Sequence, residues 1–393
     1  MRKLSAHYIF PSSGHPLKYG IIILDDNGRI LDLIDTKGEL KEEANLEFYP
    51  GILAPGFVNA HCHLELSHML GVIPKKSGII GFIEQISEKR IENKDKITKA
   101  ASAYSEEIFR TGTSAVADIV NTDDTIRIKQ DSPLYWHNFV EIFGLNSSDA
   151  GKIWKSGIEL KEKFDQTGLP ASISPHAPYS ISQELWHYFQ SNPTELLSIH
   201  NQESKEEEYL MSSRQGKLAE WFKAKGFNTD NLPPVKKTSL ESTINFFPDS
   251  KRVLLVHNTF SKQKDIELAT SYFAQDSVYW VLCPNSNLYI ENKLPEKLIE
   301  NKESINICLG TDSLASNSSL SVLEEMKTLQ KHFPSIKLEE LIKWASINGA
   351  KALGIEDKYG SFEIGKKPGV VWINNISYPG PVLSPKSKSV RLV

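Results

Sequence analysis

One segment of the chain, PGFVNAHCHLE, ends an apolar run with two histidines one residue apart, His61 and His63. In an extended strand, residues two apart face the same side, so both imidazoles can bind one metal ion. A pair of this kind also occurs among surface and core histidines that bind nothing. Cys62 between them faces the opposite side of the strand, so we expect it to pack in the core.

Further polar residues stand where other apolar runs end. They are His176, His200, His257 and Asp312. In a barrel of parallel strands, catalytic groups lie where the strands end and the following loops begin. Five of the eleven histidines stand at such positions, which indicates one convergent site rather than scattered surface residues.

The apolar runs that carry these residues predict the strands of a barrel. After Pro50 and Gly51, short apolar runs alternate with longer helical patterns, which favours a parallel sheet. We predict eight strands, at residues 52–59, 114–119, 136–143, 171–174, 196–199, 252–256, 277–282 and 305–309. Helical patterns separate most of them, at residues 97–110, 150–167, 183–192, 206–225, 263–273 and 319–331. The expected fold class is therefore α/β, with a (β/α)8 TIM-type barrel.

The two ends of the chain predict a second, smaller unit. Short β-rich runs with a DDNG turn occupy the opening residues, and strand-like alternation returns from Gly360 onward. We expect residues 1–51 and 360–393 to form one small composite β-sandwich domain, and residues 52–359 to form the barrel domain. The longer, charged insertion at residues 205–242 is expected to shape the rim of a pocket.

Composition and charge exclude several classes of protein. The chain has 393 residues, 40% apolar and 24% charged, with a net charge of −4, so it offers no basic surface for nucleic acid or an anionic membrane. Three cysteines argue against a disulfide framework and favour a reducing compartment. Neither a signal peptide nor a membrane span is evident. We expect a cytoplasmic protein that binds a small molecule and is able to form a homodimer.

Six segments, in this order, resemble the amidohydrolase superfamily: PGFVNAHCHLE, SPHAPYSIS, LSIHNQES, LLVHN, CPNSN and LGTDSLAS. They most resemble its branch of metal-dependent deaminases, which includes methylthioadenosine/S-adenosylhomocysteine deaminases, aminofutalosine deaminases and the chlorohydrolases. The resemblance spans nearly the whole chain, including ASINGAKALG and the closing GSFEIGKK. One departure is Pro368-Gly369, where the family usually has Ala-Asp; it lies in the small β domain and does not touch the chemistry.

The resemblance implies a single divalent metal ion. The implied ligands are His61, His63, His200 and Asp312. Three imidazoles and one carboxylate suit Zn²⁺, our first choice, and also Fe²⁺. Relatives with two metal ions carry a carboxylated lysine at the end of the fourth strand, where this chain has Ser174-Pro175-His176. Binding of a second metal ion by Glu141 remains open. The alternative is that Glu141 is a buried structural carboxylate.

Roles in catalysis also follow from the resemblance. Glu203, three residues after His200, would shuttle protons, and Asp312 would accept a proton from water. His257 would orient that water. Glu203 also fits an acid that stabilises a helix N-terminus. Two further residues, His176 and Glu84, are implied as contacts of the substrate, although Glu84 also fits a surface helix.

The activity implied is hydrolytic deamination of a cyclic amidine, with release of ammonia from an aminated purine nucleoside. Aminodeoxyfutalosine, an adenine nucleoside of menaquinone biosynthesis, is the leading candidate, followed by methylthioadenosine or S-adenosylhomocysteine. The alternatives are a chlorohydrolase or amide hydrolase of the same superfamily and, in another class, an inactive barrel that acts as a scaffold. Four arginines remain open as partners of a substrate carboxylate: Arg90, Arg110, Arg127 and Arg214.

Overall fold

The computed structural model describes residues 1–41, 44–274 and 276–393. The strands, in chain order, are β1 Arg2–Ile9, β2 Leu17–Lys18, β3 Ile21–Leu24, β4 Ile30–Ile34, β5 Leu46–Pro55, β6 Phe57–Cys62, β7 Thr113–Val120, β8 Tyr135–Ile142, β9 Ala171–Pro175, β10 Thr194–Asn201, β11 Ser250–His257, β12 Val278–Leu282, β13 Asn306–Leu309, β14 Val370–Asn374 and β15 Lys388–Arg391. The helices are α1 Gly78–Lys89, α2 Lys94–Arg110, α3 Ile126–Asp131, α4 Ala150–Gln166, α5 Gln183–Ser191, α6 Lys205–Ser213, α7 Lys217–Ala224, α8 Ser239–Thr243, α9 Gln263–Tyr272, α10 Pro284–Ile290, α11 Glu296–Glu300, α12 Val322–His332, α13 Leu338–Ala345 and α14 Ile347–Leu353.

Eight parallel strands, β6 to β13, form the barrel. Strands β6 to β9 pair in sequence as one four-stranded sheet, and β10 to β13 pair as another. Backbone hydrogen bonds join the two sheets at both seams: His200 N–H donates to the His176 carbonyl, and Thr311 N–H donates to the His61 carbonyl, each at 2.9 Å. The expected (β/α)8 barrel is confirmed.

The barrel strands are buried on both faces, which explains their nearly continuous apolar sequence. All eight residues of β7 are buried, and its side chains alternate between two cores. Ala115 and Ala117 belong to a core shared with alternate residues of other barrel strands, whereas Val116 and Val120 pack with helix residues such as Ile108. Among the described residues, no helix is long and apolar enough to cross a membrane.

Both ends of the chain contribute to one seven-stranded sheet, so the expected pairing of the two termini is confirmed, and the composite β-sandwich domain remains a proposal. Its strand order is β15-β14-β5-β1-β3-β4, and β2 pairs with β1. Strand β14 from the C-terminal segment pairs antiparallel with β5 from the N-terminal segment, with Val370 opposite Pro55. The domain division at residues 51/52 and 359/360 remains a proposal, and β5 crosses the first of these positions.

Two predicted elements are divided in the structure. The strand expected at residues 52–59 is two strands, because β5 belongs to the terminal sheet and only β6 belongs to the barrel. The chain crosses between them at Gly56, where a Cβ atom would collide with Ser114 Oγ. The helix expected at residues 206–225 is also two helices, because Arg214 takes a left-handed conformation (φ 56°) that ends α6.

Candidate metal centre and active site

The ends of three barrel strands carry backbone conformations that are rare outside glycine. Gln202, His257, Asn258 and Asp312 have φ values of 47°, 71°, 57° and 57°. Such residues each cost about 1–3 kcal/mol and persist where the surrounding structure holds them. Asp312, for example, is held because its N–H and that of Thr311 both donate to the His61 carbonyl, at 3.1 and 2.9 Å. The strand ends are therefore locally strained where the candidate residues lie.

Four candidate residues converge into one cluster. One ligand atom from each of His61, His200, His257 and Asp312 lies within 4.8 Å of every other. His63 stands beside this group, with its Nε2 atom 3.3 Å from Asp312 Oδ1. The structure thus brings together all the predicted metal ligands and adds His257 to their immediate neighbourhood.

Several imidazole nitrogens of this cluster have no hydrogen-bond partner among the described residues, which leaves their lone pairs available to a metal ion. Both ring nitrogens of His61 and the Nε2 atom of His257 are buried without a hydrogen bond in the described part of the chain. His200 Nδ1 lies 2.8 Å from the His176 carbonyl oxygen and donates to it, which leaves Nε2 as the free acceptor. Because unpartnered buried polar atoms are unfavourable, a divalent metal ion fits this donor set.

The protonation states suit metal binding. Burial lowers the pKa of His61 and of His63 to about 3, so both imidazoles are neutral at physiological pH. Burial opposes ionisation of Asp312, but the neighbouring His61 and His63 imidazoles hold the pKa of Asp312 well below its usual range. Neutral imidazoles and an ionised carboxylate are the forms that bind a metal.

Two serines hold the far oxygen of Asp312. Ser286 and Ser316 each donate a hydroxyl hydrogen bond of 2.6 Å to Asp312 Oδ2. The other oxygen, Oδ1, faces His61 and His63. The sequence analysis missed both serines, although they stand in the segments CPNSN and LGTDSLAS that carry the resemblance.

Glu203 and His257 face each other at the edge of the cluster. Glu203 Oε1 lies 3.6 Å from His257 Nε2. His257 Nδ1 lies 3.1 Å from Asn287 Oδ1 and donates to it, so Nε2 is the unprotonated nitrogen. Burial raises the pKa of Glu203 to about 8, so its carboxyl group carries a proton at neutral pH. The pair therefore places a proton donor next to an acceptor.

A cavity of about 430 Å³ opens onto this centre, within the size range of small-molecule sites. Its polar end is lined by His63, His200, Glu203, His257 and Asp312. The apolar residues of the lining, which we call the apolar wall, are Leu66, Ile79, Phe82, Ile83, Ile86, Phe143, Leu145, Ile153, Tyr179, Trp221, Phe222 and Phe227. Helices α1 and α7 supply much of it, and α7 lies in the insertion that was expected to shape a pocket rim.

Arg90 is the one lysine or arginine of the described residues that lines this cavity. Its Nη2 atom donates to Glu65 Oε1 and to Asn121 Oδ1, each at 3.1 Å. The other three arginines considered from the sequence, Arg110, Arg127 and Arg214, do not line it. Of the four arginines considered as partners of a substrate carboxylate, only Arg90 therefore lines the cavity.

The remaining candidates lie around the centre. His176 lines the cavity, and its Nδ1 atom is 2.9 Å from Ser180 Oγ. Glu141 lies with His176 and His200 in a second group of close ligand atoms, but His200 Nδ1 already donates to a carbonyl, which disfavours a second ion there. Glu84 is on α1 outside the cavity lining, where its Oε1 accepts a 2.7 Å hydrogen bond from the Trp221 indole.

Comparison with known proteins gives consistent matches. The family model described as the amidohydrolase family matches residues 52–390. An aminodeoxyfutalosine deaminase from a Nitratiruptor species is 28% identical over 334 residues, covering 80% of this chain and 77% of that protein. A 5-methylthioadenosine/S-adenosylhomocysteine deaminase from Saccharophagus degradans is 23% identical over 399 aligned positions, covering 94% and 82%. The crystal structure of Helicobacter pylori aminofutalosine deaminase in complex with methylthio-coformycin has a TM-score of 0.79, with 21% identity and 100% coverage of both chains, which shows a shared fold.

Proposed function

The chain belongs to the amidohydrolase family, and from this premise we propose that it is a metal-dependent deaminase that releases ammonia from an aminated purine nucleoside. It is a hydrolase of carbon–nitrogen bonds other than peptide bonds. The observation that carries the proposal is the buried Glu203 carboxyl 3.6 Å from His257 Nε2 at the edge of a histidine and aspartate cluster, where burial raises the pKa of Glu203 to about 8. Deamination needs such an acid, because a ring nitrogen must be protonated before water adds to the adjacent carbon.

The family and the cluster support a divalent metal ion as the cofactor. We propose Zn²⁺, held by His61, His63, His200 and Asp312, with Fe²⁺ as the alternative. When bound, such an ion lowers the pKa of water towards about 7 and so makes a nucleophile available at neutral pH. The neutral imidazoles at the cluster are ready to bind the ion without first losing protons.

The side chains of the polar end then move the protons. Asp312 Oδ1 accepts a proton from the attacking water, since Oδ2 is occupied by the two serine hydroxyls. His257 Nε2 accepts a hydrogen bond from that water and orients its oxygen towards the amino-bearing carbon. Glu203 donates its proton to the ring nitrogen. The proton taken up by Asp312 is passed to the amino group, which leaves as ammonia. The added hydroxyl group gives its remaining proton back to Glu203, and its oxygen stays on the ring carbon as a carbonyl.

Aminodeoxyfutalosine is our first proposed substrate, which would place the enzyme in menaquinone biosynthesis. Methylthioadenosine and S-adenosylhomocysteine come next. The relatives named above support a nucleoside of this group. The apolar wall fits an uncharged or aromatic group at one end of the nucleoside, and Arg90 is the cation placed to meet an acidic group on its tail. His176 and Glu84 remain proposed contacts of the substrate, and Glu84 would have to exchange its bond to Trp221 for one to the ribose.

Displacement of chloride or hydrolysis of an amide at the same centre is the alternative reaction. The proton donor at Glu203 favours ring deamination, because an amide needs no protonated ring nitrogen. An inactive scaffold is disfavoured by the complete set of candidate ligands, which such a protein has no reason to keep buried and unpartnered.

A screen for ammonia release tests the proposal. Zinc-loaded protein is incubated with adenine nucleosides that include aminodeoxyfutalosine, methylthioadenosine and S-adenosylhomocysteine, and with guanine and cytosine. Chloride release and amide hydrolysis are assayed in parallel. We expect ammonia from at least one adenine nucleoside, at a kcat/KM far above that for the free bases. Chloride or carboxylate release without ammonia would establish the alternative reaction instead.

Three further predictions concern the cellular location, the binding partners and the oligomeric state of the enzyme. We propose a cytoplasmic location, supported by three buried free thiols, Cys62, Cys283 and Cys308, which do not form disulfides. The net charge of −4 supports the absence of a nucleic-acid partner. A homodimer remains a prediction that sedimentation of the purified protein tests.

A further inference from the structure

The backbone that carries Glu203 is fixed by a second glutamate, Glu207. Both oxygens of the Glu207 carboxyl group accept backbone hydrogen bonds: Oε1 from Gln202 N–H at 2.8 Å and Oε2 from Glu203 N–H at 3.0 Å. The Ser239 hydroxyl donates a third bond, of 2.7 Å, to Oε1. Glu207 thus links helix α8 to the two residues that follow the metal-ligand strand β10.

Glu207 is in a position to control Glu203 without touching the substrate. Its side chain is completely buried and does not line the cavity. Gln202, one of the two residues it holds, has a left-handed backbone (φ 47°), which a glutamine does not adopt without support. The Glu203 carboxyl group, by contrast, lines the cavity beside His257. The carboxyl group that faces the substrate therefore depends on a backbone turn that Glu207 holds.

A simple helix cap does not account for this arrangement. The cap of α6 is Ser204, whose hydroxyl accepts a 3.0 Å hydrogen bond from Glu207 N–H. In an ordinary capping box the third helical residue returns a bond to the N–H of the capping residue itself. Glu207 instead accepts from the N–H groups one and two residues before the cap, those of Glu203 and Gln202, with one oxygen of its side chain for each.

We propose that Glu207 is a positioning residue of the deaminase, which holds the Gln202-Glu203 turn so that the Glu203 carboxyl group reaches the ring nitrogen of the substrate. The inference rests on the proposed function. A displacement of about 1 Å at a catalytic group can cost about 10²-fold in rate, so loss of this support reduces turnover rather than binding.

The test is Glu207→Gln in the zinc-loaded protein, assayed on the best substrate of the ammonia screen. The amide keeps the size of the side chain but offers only one acceptor oxygen, so it cannot accept from both backbone N–H groups. We expect kcat to fall about 10-fold to 10²-fold, with KM within about twofold and one metal ion per chain retained. Ser239→Ala removes the hydroxyl hydrogen bond to Glu207 Oε1 and should reduce kcat by less. The double variant should lose no more kcat than Glu207→Gln alone.

Two control variants separate positioning from stability. Ser204→Ala removes the cap of the same helix, and Glu208→Gln alters a neighbouring buried carboxylate that bonds the Gln202 side chain but not the Glu203 backbone. Both are expected to lower the thermal midpoint while kcat stays within about threefold. A normal kcat in Glu207→Gln, or equal losses of kcat in the controls, overturns the inference. If the unaltered protein releases no ammonia from any nucleoside, the proposed function has failed instead.

Discussion

The two ends of the cavity are built in different ways. The polar end consists of side chains at the ends of barrel strands, where main-chain hydrogen bonds and left-handed residues hold each group in one position. The apolar wall consists of side chains from α1, α7, α4 and the segments that follow barrel strands, and most of these are only partly buried or exposed. Under the proposed function, this difference predicts that the strand-end residues carry out the reaction and that the wall residues bind the part of the substrate that does not react.

The largest effect is expected from Asp312→Asn. The amide loses the negative charge that neighbours His61 and His63, and its oxygen is too weak a base for the proposed uptake of a proton from water. We predict a fall in kcat on the order of 10⁴-fold together with a reduced metal content, measured by ammonia release and elemental analysis. A variant that keeps full metal and more than a tenth of the activity would remove Asp312 from the polar end.

Glu203→Gln is expected to separate metal binding from proton transfer. The amide fills the same space but has no proton of suitable acidity for the ring nitrogen. The predicted result is a fall in kcat of about 10²-fold to 10⁴-fold with one metal ion per chain retained. A near-normal rate would show that another group protonates the ring.

The rate should also depend on pH through Glu203. Burial raises the pKa of this carboxyl group to about 8, so the acid form that donates a proton predominates below that value and is lost as the pH rises through it. We expect kcat/KM to fall about tenfold per pH unit on the alkaline side. A profile that rises through this range would indicate that the ionised form of Glu203 is the active one.

The apolar wall should affect binding more than rate. Phe82→Ala removes an aromatic ring from the wall, so KM for a nucleoside with an apolar tail should rise about tenfold while kcat stays within about twofold. Ile91→Ala, at an 85% exposed residue just beyond α1, is the matched control and should change neither constant. A large loss of kcat in Phe82→Ala would contradict the division between the two ends.

The smallest effect is expected from Trp221→Phe. This change removes the hydrogen bond between the indole and Glu84 but keeps an aromatic ring in the wall. We predict a two- to threefold change in KM and no change in kcat, since this hydrogen bond joins Trp221 to Glu84 within the protein and does not contact the substrate. If KM instead falls, the released Glu84 has become available to the substrate.

The sequence predicted the polar end far better than the wall. His61, His200, His257 and Asp312 each follow an apolar run, and parallel strands bring their carboxyl ends to one face, so convergence could be inferred without coordinates. The wall residues, such as Phe82 and Trp221, lie 139 positions apart in the sequence on helices whose packing no local pattern specifies. The same limit applies to Arg90, which the sequence could not separate from the other arginines.

Local patterns also missed features that depend on contacts between distant segments. The split between β5 and β6 follows from the pairing of β5 with β14, which lies more than 300 residues further along the chain. Gly56 was visible in the sequence, but its significance depends on Ser114 and Pro368 packing against it. Ser286 and Ser316 were likewise visible, yet only the fold brings their hydroxyl groups to Asp312.

The most direct test of the central claim is to follow one reaction in water enriched in heavy oxygen. Zinc-loaded protein is mixed with the best adenine nucleoside, and both the ammonia released and the mass of the product are measured. We predict one ammonia per nucleoside consumed and one heavy oxygen in the base of the product, with the sugar bond intact, and a rate lower by at least about 10²-fold in Glu203→Gln. Fully metal-loaded protein that leaves every adenine nucleoside unchanged, or that cleaves the sugar bond instead, would contradict it.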